Sequence, residues 1–271
     1  FAFLFVSLVT ASFTSSKALT KTNLAVLLAV LALLALSKPV NLVFALLLFA
    51  IPWRRFGSKK KYIQFCIAGI LLSVALFAAW NYEVRNILVA AVKYQGNGMN
   101  ISDKGQFLYI LHEPLVYIKD IIANFVLVSP GTSGDAVLST FFGVFGWLDT
   151  SIPLWTIMVY LLTLFWALIY QFGRGIIFSR WQKATFIVVF ILAFVGNITA
   201  MYFNSTPVGN STISGVQGRY FIASSILATA IFTGRKKILA LSNRMMGTIA
   251  SSAMIVVLGM TALKLFLRYY H

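Results

Sequence analysis

Apolar runs at 62–80, 153–170, 184–203, 219–233 and 247–266 constrain this chain more than any other feature, because charge enters them only at the margins, as Arg219 and Lys264. Most come close to the roughly 20 residues that a helix needs to cross about 30 Å of hydrocarbon. A water-soluble domain could not bury all of them. With 60% hydrophobic and 10% charged residues among 271, the chain has lipid as its solvent. Shorter runs at 1–15, 24–36 and 40–51 bring the expected membrane segments to about eight, in an all-α polytopic transmembrane helix bundle. The chain opens on Phe1 inside an apolar run, without the basic stretch that begins a signal peptide. The expectation is a single transmembrane domain over 1–271 that is incomplete at its N-terminus.

The charges give such a bundle its sidedness. All six carboxylates (Glu83, Asp103, Glu113, Asp120, Asp135 and Asp149) fall in one stretch, in a chain of net charge +16. By the positive-inside rule four groups of cations belong on the cytoplasmic side: Lys17 with Lys21; Arg54, Arg55, Lys59, Lys60 and Lys61; Arg174, Arg180 and Lys183; and Arg235, Lys236, Lys237 and Arg244. Cations set directly beside apolar runs suit anionic membrane lipids. They are interleaved with spans and not gathered on a folded module, so nucleic acid is not an expected partner. If 17–21 and 54–61 share a side, 24–36 and 40–51 form an in-and-out hairpin broken at Ser37-Lys38-Pro39, with proline ending one arm and opening the next. Arms so short make it re-entrant or set it in thinned bilayer. One kinked helix over 24–51 is the competing reading, and it would put the two basic loops on opposite sides.

The same alternation places about 81–152 and 204–218 outside, as an outer-face layer of loops and an interfacial helix. Residues 92–105 read as a loop, rich in glycine and in polar Asn97, Asn100, Ser102 and Asp103. Glu113-Pro114 reads as a helix start, and 114–128 as an interfacial helix with Lys119, Asp120 and Asn124 for its polar stripe. Ser129-Pro130-Gly131 then bends the chain, and LSTFFGVFGWLDTSIP returns it to the membrane with Trp147 at the interface. The lone cysteine, Cys66, excludes a disulfide and a Cys-based metal site.

Few polar residues stand where chemistry needs them. Arg219, in Gly215-Val216-Gln217-Gly218-Arg219-Tyr220-Phe221, lies where an outer loop enters a span. Its planar fork suits a phosphate or carboxylate, and the flanking glycines let a ligand approach the backbone. Snorkelling to headgroups is the plain alternative. Lys38 is a second outward cation of the hairpin, able to share a lipid-linked phosphate or only to mark the helix break. Asp149 could orient a sugar hydroxyl, bind a metal, or cap the helix that begins near Pro153. His112-Glu113 could act as an acid/base pair, although adjacent residues rarely converge on one atom and Glu113 also fits a helix N-cap. No metal-ligand spacing, nucleophile elbow or phosphate-binding glycine loop occurs, so no cofactor is expected and a divalent metal would have no ligand cluster.

Three motifs in order, ALSKP at 35–39 followed by Pro52-Trp53-Arg54-Arg55-Phe56-Gly57, FGVFGWLDTSIP at 142–153 and GVQGRYF at 215–221, resemble the bacterial membrane proteins known as domain of unknown function 2142. The similarity covers nearly the whole chain, which looks like the C-terminal part of that family. The family looks related to the GT-C glycosyltransferases, which use polyprenyl-phosphate-linked sugars on the outer face of the membrane. The resemblance implies a multi-pass protein of the bacterial plasma membrane that glycosylates a cell-envelope acceptor. Such chemistry needs an acid to take the acceptor's proton and a cation to stabilise the leaving phosphate. Arg219 assisted by Lys38 meets the second need, with Gln217, Tyr220 and Asp149 as further substrate contacts. The catalytic acid is expected before Phe1, with Asp149 the weaker candidate. The alternatives are a transporter or flippase for a lipid-linked glycan and a non-catalytic subunit of polysaccharide assembly. The centres of 153–170, 184–203 and 247–266 carry no charge, which counts against ion coupling.

Overall fold

Interruptions of the apolar runs set the helix ends. The computed structural model describes residues 1–14, 18–95, 101–126, 133–145, 149–171, 177–229 and 241–270. Helix α1 (Ala2–Thr14) is followed by α2 (Lys21–Ser37), which opens on a capping box: the Thr20 hydroxyl accepts from the Asn23 N–H, and the Asn23 side chain accepts from the Thr20 N–H. Helix α2 stops at Lys38, whose extended backbone is what a residue before proline prefers. From Pro39 to Ala50 the chain winds as a 3-10 helix.

That tighter winding matches the two arms in length. Seventeen residues of α-helix rise about 25 Å and twelve of 3-10 helix about 24 Å, so the shorter arm brings the chain back to its starting level. The Leu19 N–H duly donates to the Arg55 carbonyl at 2.8 Å. Residues 21–50 therefore form the in-and-out hairpin and not one kinked helix.

After a 3-10 turn (Trp53–Phe56) closed by left-handed Gly57, helix α3 (Lys59–Gln95) runs back along the 3-10 arm. Tyr62 Oη donates to the Phe49 carbonyl, and Gly69 lies so close to the hairpin that a Cβ there would sit 2.6 Å from Leu48 Cδ1. Neither glycine nor proline occurs in 81–95, and α3 continues through it, past the expected span end at 80 and into the expected loop. Ser102 caps α4 (Asp103–His112) by accepting from the Gly105 N–H, which makes 103–105 helical too. Next come α5 (Pro114–Ile121) with a π-helical turn (Ile122–Val126), and α6 (Ser133–Phe142). Strands β1 (Val144–Phe145) and β2 (Thr150–Ser151) pair antiparallel, Val144 opposite Ser151, which is the one departure from an all-α fold among the described residues. Helices α7 (Leu154–Gln171) and α8 (Arg180–Ser205), a 3-10 turn (Gly218–Phe221), α9 (Ile222–Ala228) and α10 (Asn243–Tyr270) complete the chain.

Hydrogen bonds fix the vertical order. Trp181 Nε1 and Gln182 Nε2, at the start of α8, donate to the carbonyls of Phe49 and Ala50. Lys21, the 54–61 cluster and Arg180 thus gather at one basic end. Tyr170 and Asn243 bond side chain to side chain, so α10 begins where α7 stops. Lys17, Arg174, Arg235 to Lys237, Trp147 and the Ser129-Pro130-Gly131 bend lie outside the described residues. Among the described helices, Lys59–Ile87, Arg180–Ser205 and Asn243–Tyr270 are long and apolar enough to cross a membrane; α1, α2, the 3-10 arm and α7 are shorter.

Two apolar cores stack along α8. The first joins Phe5, Leu31, Leu47, Leu48 and buried Cys66 to Phe186 and Val189. The second joins Tyr117, Ile121 and Phe125 to Ile198, Tyr202 and Phe221. Helix α5 thus lays one face on α8 and leaves Leu115 and Ile118 exposed. Its polar stripe differs from expectation. Asp120 is three residues after Tyr117 and so rides on the buried face, only 7% exposed.

Candidate functional site

Each glycine of the GVQGRYF motif has a structural task. Gly215 takes φ +77°, a left-handed backbone, with a would-be Cβ 2.9 Å from Ser205 Cβ. Gly218 is pressed onto α6: a Cβ would lie 2.1 Å from the Val137 carbonyl oxygen and 2.2 Å from the Phe141 nitrogen. The Gly218 N–H donates to Thr140 Oγ1 at 2.6 Å, which pins the turn that carries Arg219 and Tyr220. The preceding loop is held as firmly. Buried Gln106 donates to the Tyr202 carbonyl and accepts from the Gly209 N–H, while Asn124 Nδ2 donates to the Ser211 carbonyl.

The tip of the hairpin meets this motif. Lys38 Nζ stands 4.5 Å from the centre of the Tyr220 ring, a cation–π contact. Burial, and after it the charge of Arg219, lowers the Lys38 pKa from its ordinary value. Lys38, distant in sequence, thus meets the turn that carries Arg219; both cations are exposed, and no salt bridge neutralises either among the described residues. Asn197 ties the level to α8 by donating to the Tyr220 carbonyl at 3.4 Å, and Gly196 packs against Val40 just beyond the tip. Between Gln182 and Asn197 α8 rises about 22 Å. The cation pair thus sits far from the basic end, at the seam between the two cores. Gln217 Oε1 is buried there without a hydrogen-bond partner.

Beside the turn lies an apolar cavity of about 300 Å³, walled by Phe125, Phe141, Phe142, Phe190, Phe194 and Phe221. Phe221 follows Arg219 and Tyr220 directly, so a cationic patch and a hydrocarbon-lined cavity adjoin.

Other candidates take different places. Asp149 accepts a 2.7 Å hydrogen bond from Arg268 near the end of α10 and a longer one from Thr150. The guanidinium holds its carboxyl below the usual range. Helix α7 begins only at Leu154, so Asp149 is not its cap. His112 Nδ1 is bound to the Leu108 carbonyl, and Glu113 occupies the N-cap position of α5 without a side-chain cap. Among the described residues no group of three or more His, Cys, Asp or Glu is placed to hold a metal. Sequence reasoning missed Asp120 as a buried acid: its Oδ2 has no hydrogen-bond partner, and burial raises its pKa against the opposing charge of Lys119. The signal was its spacing from Tyr117 and Ile121. Asn197 and Thr140, which position the turn, carried no sequence signal.

No curated protein and no solved structure matches the chain. A family model described as predicted membrane protein (DUF2142) matches residues 1–228, from α1 to α9, and the chain belongs to that family.

Proposed function

We propose that the protein is a membrane glycosyltransferase that moves a sugar from a polyprenyl-phosphate donor to a cell-envelope acceptor on the outer face of a bacterial plasma membrane. The observation that carries this reading is the meeting of Lys38 with the Arg219-Tyr220 turn at the hairpin tip, with no salt bridge to either cation among the described residues. Both cations are exposed, so the phosphate of a donor can reach them. The adjoining phenylalanine-lined cavity suits the isoprenoid part of a lipid phosphate. In the reaction the bond from the sugar's anomeric carbon to the phosphate oxygen breaks as the acceptor hydroxyl oxygen bonds to that carbon and gives its proton to a general base. The polyprenyl phosphate leaves with added negative charge, which Arg219 and Lys38 stabilise. Gln217 Oε1 accepts from a sugar hydroxyl, and the Tyr220 ring steadies Lys38. Asp149 is left out of the site, because Arg268 engages it. The reading requires the topology of about eight segments with 81–152 and 204–218 outside.

The test is transfer of a labelled sugar from polyprenyl-phosphate donors to envelope acceptors by membranes that contain the protein. Arg219→Ala should lower transfer about ten- to hundredfold, the worth of hydrogen bonds to a charged group, with the protein level unchanged. Arg219→Lys should remain impaired, whereas a headgroup anchor would tolerate it. Folded protein that transfers no sugar from any donor would overturn the reading in favour of transport or assembly.

A further inference from the structure

A further cation with no salt bridge among the described residues lies at the opposite, basic end. Arg55, in the Trp53–Phe56 turn, is 9% exposed, and its Nε and one terminal nitrogen are buried with no hydrogen-bond partner. Its neighbours behave otherwise: Arg54 and Lys59 stand outside, both against the Trp53 ring. Phe56, packed on Tyr62 and Phe65, and the Leu19 N–H bond to the Arg55 carbonyl hold the turn so that Arg55 points inward.

It points into a cavity of about 390 Å³ between α1 and α2. Ser12, Thr20 and Asn23 give this cavity polar lining, and Leu8, Val26 and Leu27 give it apolar lining. The capping box opens α2 on the same wall, so the N-terminal N–H groups of a 17-residue helix add positive potential. Among the described residues no salt bridge balances it. All six carboxylates lie between 83 and 149, and the first of them is about 36 Å along α3 from Lys59. A buried, unpaired guanidinium is strongly unfavourable, so its counter-ion comes from outside the chain.

We propose that this cavity is a binding site for a phosphate group, held by Arg55 and the start of α2, and that the apolar wall takes an acyl chain attached to it. The shared chemistry is a phosphate oxygen on a guanidinium fork, whether the phosphate belongs to a membrane lipid or is soluble. The site is separate from that of Lys38 and Arg219 and does not rest on the glycosyltransferase reading.

The test uses the whole protein, delipidated in a neutral detergent and titrated separately with phosphatidylglycerol and with inorganic phosphate. Binding is read by native mass spectrometry and by hydrogen exchange over 18–27. Phosphatidylglycerol should bind and protect that segment, and Arg55→Ala should weaken binding about ten- to hundredfold. Arg54→Ala, at the surface, should weaken it no more than about fivefold. Ser12→Leu keeps Arg55 and fills the cavity, so it should also abolish protection even if Arg55→Ala fails to fold. Protection by inorganic phosphate alone, lost with the same variants, would support the site and assign a soluble ligand. Binding of phosphatidylglycerol that Arg55→Ala and Ser12→Leu leave unchanged would overturn the proposal, as would no binding of either probe.

Discussion

Gly218→Ala tests whether the Arg219 turn is fixed by contact with α6. The added Cβ would meet the Val137 oxygen at 2.1 Å, the Phe141 nitrogen at 2.2 Å and the Phe141 Cα at 2.5 Å. All three are backbone atoms, so no rotamer change relieves the clash, and the turn and α6 must separate. Overpacking of a tight contact costs about 3 kcal/mol at the upper end of its range. Separation also breaks the 2.6 Å bond from the Gly218 N–H to Thr140, worth about 1 kcal/mol. A loss of about 4 kcal/mol is a large share of the stability of an ordinary domain. Gly259→Ala in α10 is the control, since a Cβ there has nothing within 4 Å and should be neutral or stabilising by at most about 1 kcal/mol. Thermal unfolding in micelles, with hydrogen exchange over 215–221, gives the readout. A Gly218→Ala protein that melts with the wild type and protects 215–221 equally would refute the packing argument. Intact packing with lost sugar transfer would separate the turn's stability from its function.

Asp120 has a folded-state pKa raised by burial, so its contribution to stability is present in full below the unfolded carboxylate value and is lost as pH rises through the folded one. Melting midpoints should therefore climb as pH falls through that range in the wild type and climb less in Asp120→Asn. The Asp149–Arg268 pair is exposed, so Asp149→Asn and Arg268→Ala should each leave the melt within replicate spread and leave sugar transfer unchanged. In a Cys66→Ser background, Thr22→Cys and Ser58→Cys should react with an impermeant thiol reagent from the same side of the membrane and Ser37→Cys from the other. A kinked helix would put the first two on opposite sides.

Much of the fold is legible in the residues because lipid simplifies the code. Without water to satisfy the backbone, apolar runs become helices, and Ser37-Lys38-Pro39 can only be a break. The basic loops that the positive-inside rule groups, at Lys21, 54–61 and Arg180, do meet at one end where they are described. What was not legible depends on winding and on distant packing. Nothing in PVNLVFALLLFA announces a 3-10 helix; the pitch follows from having twelve residues to match α2. The strand pair at 144–151 follows from Gly143, which lets Ile152 close over it, a contact no periodicity reveals. At the candidate site Lys38 and Arg219 were readable as cations, but Tyr220 as their link and Asn197 as their anchor needed the fold. Asp149 was readable as an acid near a span; its partner Arg268, more than a hundred residues later, was not.

The two cationic sites share one setting. Every acid lies in 83–149, and among the described residues the one salt bridge is Asp149–Arg268, so no carboxylate is seen to pair with a cation of the hairpin, α1 or α2. Arg55 at its base and Lys38 at its tip both face this deficit, about 25 Å apart along α2. In water such cations would be solvated at little cost. Buried Arg55 lacks that solvation, and the anions a bilayer offers are phosphates carried on hydrocarbon. Each cation adjoins an apolar cavity that can take such a chain, Phe125 to Phe221 at the tip and Leu8 to Leu27 at the base. The net charge of +16 is therefore a statement about ligands as well as about orientation. If sugar transfer fails for every donor, the phosphate site proposed at Arg55 is untouched, because it rests on a buried guanidinium at the other end of the hairpin.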